Sequence, residues 1–204
     1  MQHRLRPDAK SDLTVSATYL SMQLRTTERD PVIAALQAVA AAHPAEGLRF
    51  FVAQPAAGWL AVFPNFTPEL ERSAKTLSAT LRCLIVLLLS ADEDDLYCMF
   101  FRDGKQLPWF KVGASRKRRG KERDKLAAKI EALADVCDAN GRARLVDVLA
   151  DTTNVIFSSD LLRAVCEIAG IRHAFSSFDY LQRGEREGLD GAGELTLVPG
   201  VPHA

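Results

Sequence analysis

The chain is poor in the residues that usually announce a chemistry. Its four cysteines, Cys83, Cys98, Cys137 and Cys166, stand far apart, and no Cys-x-x-Cys spacing occurs. Neither a zinc knuckle nor a thioredoxin-like couple is therefore supported. Each cysteine sits inside an apolar pattern, where it serves as a small core residue. Histidine is equally sparse, at His3, His43, His173 and His203. No His-x-x-x-His pair exists, and no Gly-x-Ser-x-Gly elbow surrounds a serine. A cysteine nucleophile would have to pair Cys166 with His173, and no motif supports that pairing. Phosphate-cradling glycine loops of the Gly-x-Gly-x-x-Gly or Walker type are missing as well. These absences argue against an enzyme more than for one, and they imply neither a cofactor nor a metal.

Charge of one sign is also lacking. Lysine plus arginine number 26, as do aspartate plus glutamate, so the whole molecule has no electrostatic bias toward nucleic acid or a lipid surface. No apolar run approaches the ~20 residues that span a bilayer. The opening residues, MQHRLRPDAKSD, are polar and hold no apolar signal core. A reducing cytoplasm is the expected location, with no membrane partner. There is no internal repeat and no low-complexity tract.

What the chain does have is core. Nearly half of its 204 residues (48%) are hydrophobic, enough for one good-sized domain carrying a helical appendage. The organising stretch is RCLIVLLLSADEDDLYCMFFRDGKQLPWFKV, residues 82–112. It opens on an unbroken apolar run at 83–89 and turns at an acidic corner. Two further runs, 96–101 and 107–112, flank Asp103-Gly104, the composition of a two-residue type I′ hairpin. Pro108 cannot donate to a ladder, so the last of these strands is expected at an edge.

Ahead of this core, Leu20, Met22 and Leu24 share one parity, which predicts a strand over 14–25 with one buried face. Asp30-Pro31 reads as a cap and first helical residue, followed by Val32, Ile33, Leu36, Val39 and Ala40 at helical spacing. Residues 48–53 and 59–63 predict two short strands joined across Pro55 and Gly58. Thr67-Pro68-Glu69 opens a second helix, with Leu70, Ala74, Leu77 and Leu81 on one stripe.

Beyond Gly113 the pattern becomes helical. One helix carries Leu126, Ile130, Leu133 and Cys137 and is expected to stop at Asn140-Gly141. A shorter one covers about 142–149. A third starts near Ser158, with Phe157 and Leu162 spaced as a hydrophobic staple, and closes at Gly170 in a Schellman turn. Phe175, Phe178, Tyr180 and Leu181 then need burial against the sheet, and residues 195–198 could add an edge strand.

The expected fold is α+β. An antiparallel sheet follows the ferredoxin-like βαββαβ order, extended by a β-hairpin, with two helices on one face and C-terminal helices packed against it. The expected segments are a mobile lead-in at 1–13, a sheet domain at 14–113, a helical segment at 114–187 and a flexible tail at 188–204.

Two local charge features stand out. The acidic corner is Asp92, Glu93, Asp94 and Asp95. It lacks the alternating ligands and turn glycine of a calcium loop, so it reads as a solvated turn. The basic run comprises Arg116, Lys117, Arg118, Arg119, Lys121, Arg123 and Lys125, with Trp109 and Phe110 just before it. Such density can neutralise phosphates, and a neighbouring aromatic can stack a base. Glu122 and Asp124 interrupt it, so a charged linker or a contact for an acidic protein explains it equally well. Trp59 and Trp109 read as packing residues ahead of pocket walls. Arg183, Glu185, Arg186 and Glu187 read as exposed loop charges.

Three blocks carry a resemblance: Gly58-Trp59-Leu60-Ala61-Val62-Phe63-Pro64, the hairpin segment LYCMFFRDG at 96–104, and FDYLQRGE at 178–185. Over residues 48–187 the chain resembles uncharacterised bacterial α+β proteins. That resemblance implies a soluble bacterial context and no activity. The reading favoured by the residues is a non-enzymatic binding or regulatory module that engages a protein partner or a second copy of itself. The two charged patches could pair about a two-fold or head to tail. Two alternatives stand beside it. One is nucleic-acid binding through the basic run. The other is a small-molecule enzyme with a pocket between the sheet and the C-terminal helices.

Overall fold

The computed structural model describes residues 17–91, 95–113, 115–135 and 137–200. In chain order the elements are β1 (Ala17–Leu24), α1 (Arg29–Ala42), β2 (Phe50–Val52), β3 (Leu60–Pro64), α2 (Leu70–Leu81), β4 (Ile85–Ala91), β5 (Asp95–Arg102), β6 (Lys105–Gln106) and β7 (Phe110–Gly113). They continue with α3 (Lys121–Ile130), α4 (Ala139–Ala150), α5 (Ser158–Ala169), α6 (Phe178–Gln182) and β8 (Thr196–Val198). The class is α+β, with one antiparallel sheet of eight strands among the described residues. Its order is β6-β5-β4-β1-β3-β2-β8, with β7 also paired to β5.

β4 lies inside the sheet, and its unbroken apolar run follows from being covered twice. Ile85 and Leu87 pack with Val32, Leu36, Leu70, Ala74 and Leu77 of α1 and α2. Val86 and Leu88 pack on the opposite side with Leu126, Ile130, Leu145, Leu149, Leu161 and Val165 of α3, α4 and α5. The sheet is thus the middle of three layers. A smaller cluster of Ala53, Ala61, Phe63, Leu181, Leu189 and Ala192 closes the β2–β3 end of the second face.

The Asp103-Gly104 hairpin forms as the dipeptide predicts, with φ of 50° and 74° at its central residues. Pro108 interrupts the third run. β6 and β7 therefore form separately along the outer side of β5, at the sheet edge.

Several expectations are corrected. The strand β1 buries both faces, for Ser21 and Gln23 are as inaccessible as Leu20 and Met22. Period-two polarity implied a wet face, but a C-terminal segment covers it. α1 begins at Arg29 with Glu28 as the flanking residue, so Asp30 lies in the first turn. Asn140-Gly141 does not end a helix. These residues lie in the first turn of α4, where Asp138 caps the helix by accepting from the Gly141 amide at 2.6 Å. Phe157 is itself the residue flanking α5 and is exposed, so it staples nothing. Ser158 instead shares a buried hydrogen bond with Ser90, 2.6 Å between hydroxyls.

The segment expected as a flexible tail is pinned through Val198. Leu189, Ala192 and Val198 are buried, β8 pairs with β2, and Arg29 donates to the Thr196 hydroxyl. Among the described residues no helix is long and apolar enough to cross a membrane.

Candidate functional site

A cleft forms where β1 parts from β3. The two strands are in register only from Met22 to Leu24. Beyond that point the Leu20 amide donates instead to the Ser176 carbonyl, at 3.1 Å. The covering strand-like strap, residues 171–177, is delivered there by the end of α5. Gly170 adopts the left-handed conformation at φ 71°, and the Ile171 amide donates to the Cys166 carbonyl at 2.8 Å, closing a Schellman turn. The chain passes over β1, forms α6 and returns through residues 184–191. At Gly188 a side chain is excluded, because a Cβ there would meet the Phe175 carbonyl oxygen at 2.8 Å. Between the last turns of α5, the strap and this returning loop lies an open cleft of about 950 Å3.

Its floor holds an unusual group. His173 lines the cleft yet is only 6% exposed, and neither ring nitrogen has a hydrogen-bond partner among the described residues. Burial holds its pKa below the ordinary imidazole value, with Arg172 adding to the effect. The ring is therefore neutral at pH 7, with one nitrogen able to donate and the other to accept. Next to it in the fold, Gln23 donates to the His173 carbonyl at 2.8 Å and to Ser21 Oγ at 3.0 Å. The Gln23 Oε1 and Ser176 Oγ atoms are likewise buried without partners among the described residues.

Aromatic rings and charges make the walls. Tyr19 meets Phe175 edge-on at 5.5 Å and Tyr180 at 6.4 Å. Arg163 lies over the Phe175 ring at 5.1 Å, and Arg183 over Tyr180 at 5.0 Å. Arg163 and Glu167 project from α5, one turn apart. Glu185, Glu187 and Asp190 come from the returning loop. Of these carboxylates Glu185 is neutralised by Arg183 at 2.6 Å.

Cys166 shares the cleft with His173, so the structure does bring that pair to one place. It does not join them: both imidazole nitrogens are unpaired, and burial drives the thiol far above its ordinary range. A thiol held protonated in this way is not an activated nucleophile.

The basic run lies elsewhere, in the segment leading into α3 and on the first turns of α3, and part of it is engaged by α4 and the residues that follow it. Arg116 pairs with Glu122 at 3.1 Å, Lys117 with Asp151, and Arg123 with Asp147 at 2.6 Å. The Lys117 ammonium and the Thr153 hydroxyl bring the Asp151 carboxyl down to about 2. Arg118 donates to the Leu149 carbonyl at 3.0 Å, and desolvation lowers its pKa. Arg119, Lys121 and Lys125 are exposed without a recorded partner among the described residues. Trp109 is exposed too, with the Lys129 ammonium 5.7 Å from its ring centre.

Of the acidic corner, Asp92, Glu93 and Asp94 lie outside the described residues. Asp95 pairs with Lys111 at 2.7 Å, and that contact raises the lysine pKa. Among the described residues no group of three or more His, Cys, Asp or Glu side chains is placed to hold a metal ion. Trp59 is buried and donates from its indole to the Ala169 carbonyl at 3.1 Å, which anchors the end of α5 to the sheet.

The sequence reading assigns His173, Phe175, Tyr180, Glu185 and Glu187 separate roles and does not bring them to one cleft, because they stand far from Tyr19 and Ala56 in the chain. One available signal was a histidine in the segment Ile171-Arg172-His173-Ala174-Phe175, just after a helix-ending glycine. Comparison with known proteins finds no counterpart, since no family model, no curated protein and no solved structure matches the chain.

Proposed function

We propose that the chain is a non-enzymatic binding module that takes up a small molecule in the cleft between the sheet and the C-terminal helices. The observation that carries this reading is His173, buried on the cleft floor with both ring nitrogens unsatisfied. An orphaned buried polar group costs about 1–3 kcal/mol, and since neither nitrogen has appreciable accessible surface, a ligand that completes its hydrogen bonds has to displace part of the strap to reach it. Concave sites with a few converging polar groups are the usual form of small-molecule sites. The cysteine in the cleft is protonated and no side chain among the described residues hydrogen-bonds to the imidazole, which favours binding over catalysis.

The order β4-β1-β3-β2 of the inner strands, with α1 and α2 as the two crossovers, supports the ferredoxin-like description of the frame. Function does not follow from that frame.

The test is a chemically mixed small-molecule library screened by thermal shift against the full chain and against His173→Leu. The expected result is one or more compounds that raise the Tm of the wild type and leave the folded variant unmoved. Compounds that stabilise both proteins equally, or a library without any stabiliser, would overturn the reading.

A protein partner is the second reading. It is supported by Ile156 and Phe157, adjacent residues that are 73% and 44% exposed just ahead of α5. A stoichiometric companion that copurifies at low salt and is lost from an Ile156→Asp, Phe157→Ser variant would establish it. Nucleic-acid binding retains as its basis Arg119, Lys121 and Lys125, which have no ion-pair partner among the described residues. Self-association through the acidic corner has less to work with, because Asp95 is already paired within the chain.

A further inference from the structure

We infer that the strap, residues 171–177, is a gate that lifts from β1 while the sheet beneath it stays folded, and that this motion opens the cleft floor. As the way in for a ligand it rests on the ligand-binding reading above; as a motion of the chain it stands on the geometry of the strap.

The closed strap buries more polar groups than it satisfies. Six buried side-chain polar atoms lack a hydrogen-bond partner among the described residues. Four of them belong to β1 and the strap that crosses it: Gln23 Oε1 on the strand, and His173 Nδ1, His173 Nε2 and Ser176 Oγ on the strap. The other two, Thr67 Oγ1 and Ser73 Oγ, lie just ahead of α2 and in its first turn. Water hydrates each of the four when the strap lifts, so their cost falls on the closed state alone. A segment carrying that burden opens ahead of the packed sheet.

The surroundings suit a hinged motion. On one side the Trp59 indole donates to the Ala169 carbonyl at 3.1 Å and holds the end of α5 to the sheet. On the other, the Phe178 ring of α6 stands 5.0 Å from Phe51 of β2, with the Arg49 guanidinium 4.8 Å from its centre. Gly170, left-handed at φ 71°, and Ser177, which flanks α6, are the joints between these held ends and the strap. Beneath the strap the ladder is already interrupted, for β1 leaves β3 beyond Met22 and donates from Leu20 to the Ser176 carbonyl. Above it the cleft of about 950 Å3 leaves room for the strap to move. The returning loop meets it at Gly188, which has no side chain to interlock with it.

Closure is favoured by the buried Ile171 and Ala174 and by the Phe175 ring, which lies against Tyr19 and Arg163. The gate therefore rests closed, and the orphaned groups lower the cost of opening it.

The experiment is native-state hydrogen exchange on the isotope-labelled full chain, without ligand, followed by NMR over a series of low urea concentrations. The Leu20 amide reports on the strap, and the Leu87 amide reports on β4, which is paired on both sides. After correction for intrinsic rates, Leu20 should exchange at least about tenfold faster than Leu87, with a shallower dependence on urea, because lifting the strap exposes little surface. Ser176→Ala removes one orphan and adds no apolar bulk; His173→Leu removes two. Each should slow the Leu20 amide by about fivefold or more. Equal rates and equal urea slopes for Leu20 and Leu87 would overturn the inference. So would unchanged or faster Leu20 exchange in Ser176→Ala, since the hydroxyl would then be satisfied in the closed chain. Local opening in a chain that no library compound stabilises would sustain the motion and overturn the ligand-binding reading, so the two fail separately.

Discussion

The side-chain amide of Gln23 donates to the backbone carbonyl of His173 at 2.8 Å, across 150 positions of sequence. This bond fastens the C-terminal strap to the inner strand β1, and it places the unsatisfied imidazole where it lines the cleft. With the Leu20 amide, which donates to the Ser176 carbonyl at 3.1 Å, it ties the candidate site to the sheet.

Gln23→Ala should consequently do two things at once. It opens a small cavity and leaves the His173 carbonyl without its donor, a combined cost of about 2–4 kcal/mol. Urea denaturation measures the loss. Hydrogen exchange should show the Leu20 amide, which donates to the strap at the Ser176 carbonyl, and the Ile171 amide opening before the amides of β4. Uniform acceleration across the sheet would mean that the strap has no separate stability.

His173→Leu should raise stability in the absence of ligand, because it replaces an unsatisfied buried ring by an apolar group. The expected gain is about 1–2 kcal/mol, or roughly 2–6 °C in Tm. A fall in Tm would show that the imidazole is satisfied in solution and that the strap depends on it.

The same residue sets a pH dependence. Its folded pKa lies below the ordinary 6.5, chiefly through burial. At higher pH the ring is neutral in both folded and unfolded chains, and its contribution is constant. As pH falls below ~6.5 the unfolded chain binds the proton first, so stability declines through the window down to the folded pKa. Denaturation curves from pH 8 to pH 5 should show this decline in the wild type, and His173→Leu should flatten it. Identical profiles in the two proteins would assign the titration to other groups.

Gly104 should tolerate no side chain. It lies at φ 74° in the β5–β6 turn, its amide donates to Ser78 Oγ at 3.0 Å, and a Cβ would stand 3.2 Å from the Ala79 Cβ. Left-handed backbone strain alone costs roughly 1–2 kcal/mol for a residue with a Cβ. Gly104→Ala should therefore lower stability by at least that amount, whereas Lys105→Ala on the exposed neighbour should stay within about 0.5 kcal/mol. Chemical denaturation of both variants separates turn strain from loss of the edge strand.

Nucleic-acid affinity, where measurable, should be weak and shallow in salt. Arg116, Lys117 and Arg123 pair with acids of the same chain, and Arg118 is bound to a carbonyl. Arg119, Lys121 and Lys125 remain, so the log–log salt slope for duplex DNA should be no steeper than about −3. Fluorescence anisotropy at several salt concentrations gives the slope. A value near −6 would show that the paired cations release their partners to reach phosphate.

Much of the frame was legible because local chemistry and tertiary structure agree there. Asp103-Gly104 adopts positive φ at both positions, which those two residues accept most readily. Residues 85–88 are apolar throughout and are covered on both faces. Gly170 followed by Ile171 ends a helix as the pair suggests. The misreadings have a common cause. Ser21 and Gln23 are polar, and alternation assigned them to water, yet a segment 150 positions later covers them and Gln23 hydrogen-bonds to it. Asn140-Gly141 carries a turn composition, but Asp138 caps a helix across it and overrides that preference.

By itself the sequence determined the class of the fold, the hairpin, the inner apolar strand and the two amphipathic helices on the first face. Each depends on a period or a turn that a few neighbouring residues express. Only the tertiary structure decided that the second face is covered, that the basic run is tied to α4, and that His173 is buried without a hydrogen-bond partner among the described residues. Those outcomes depend on chain segments far apart in sequence, and no local period encodes which polar groups will meet, or which will be left without a partner.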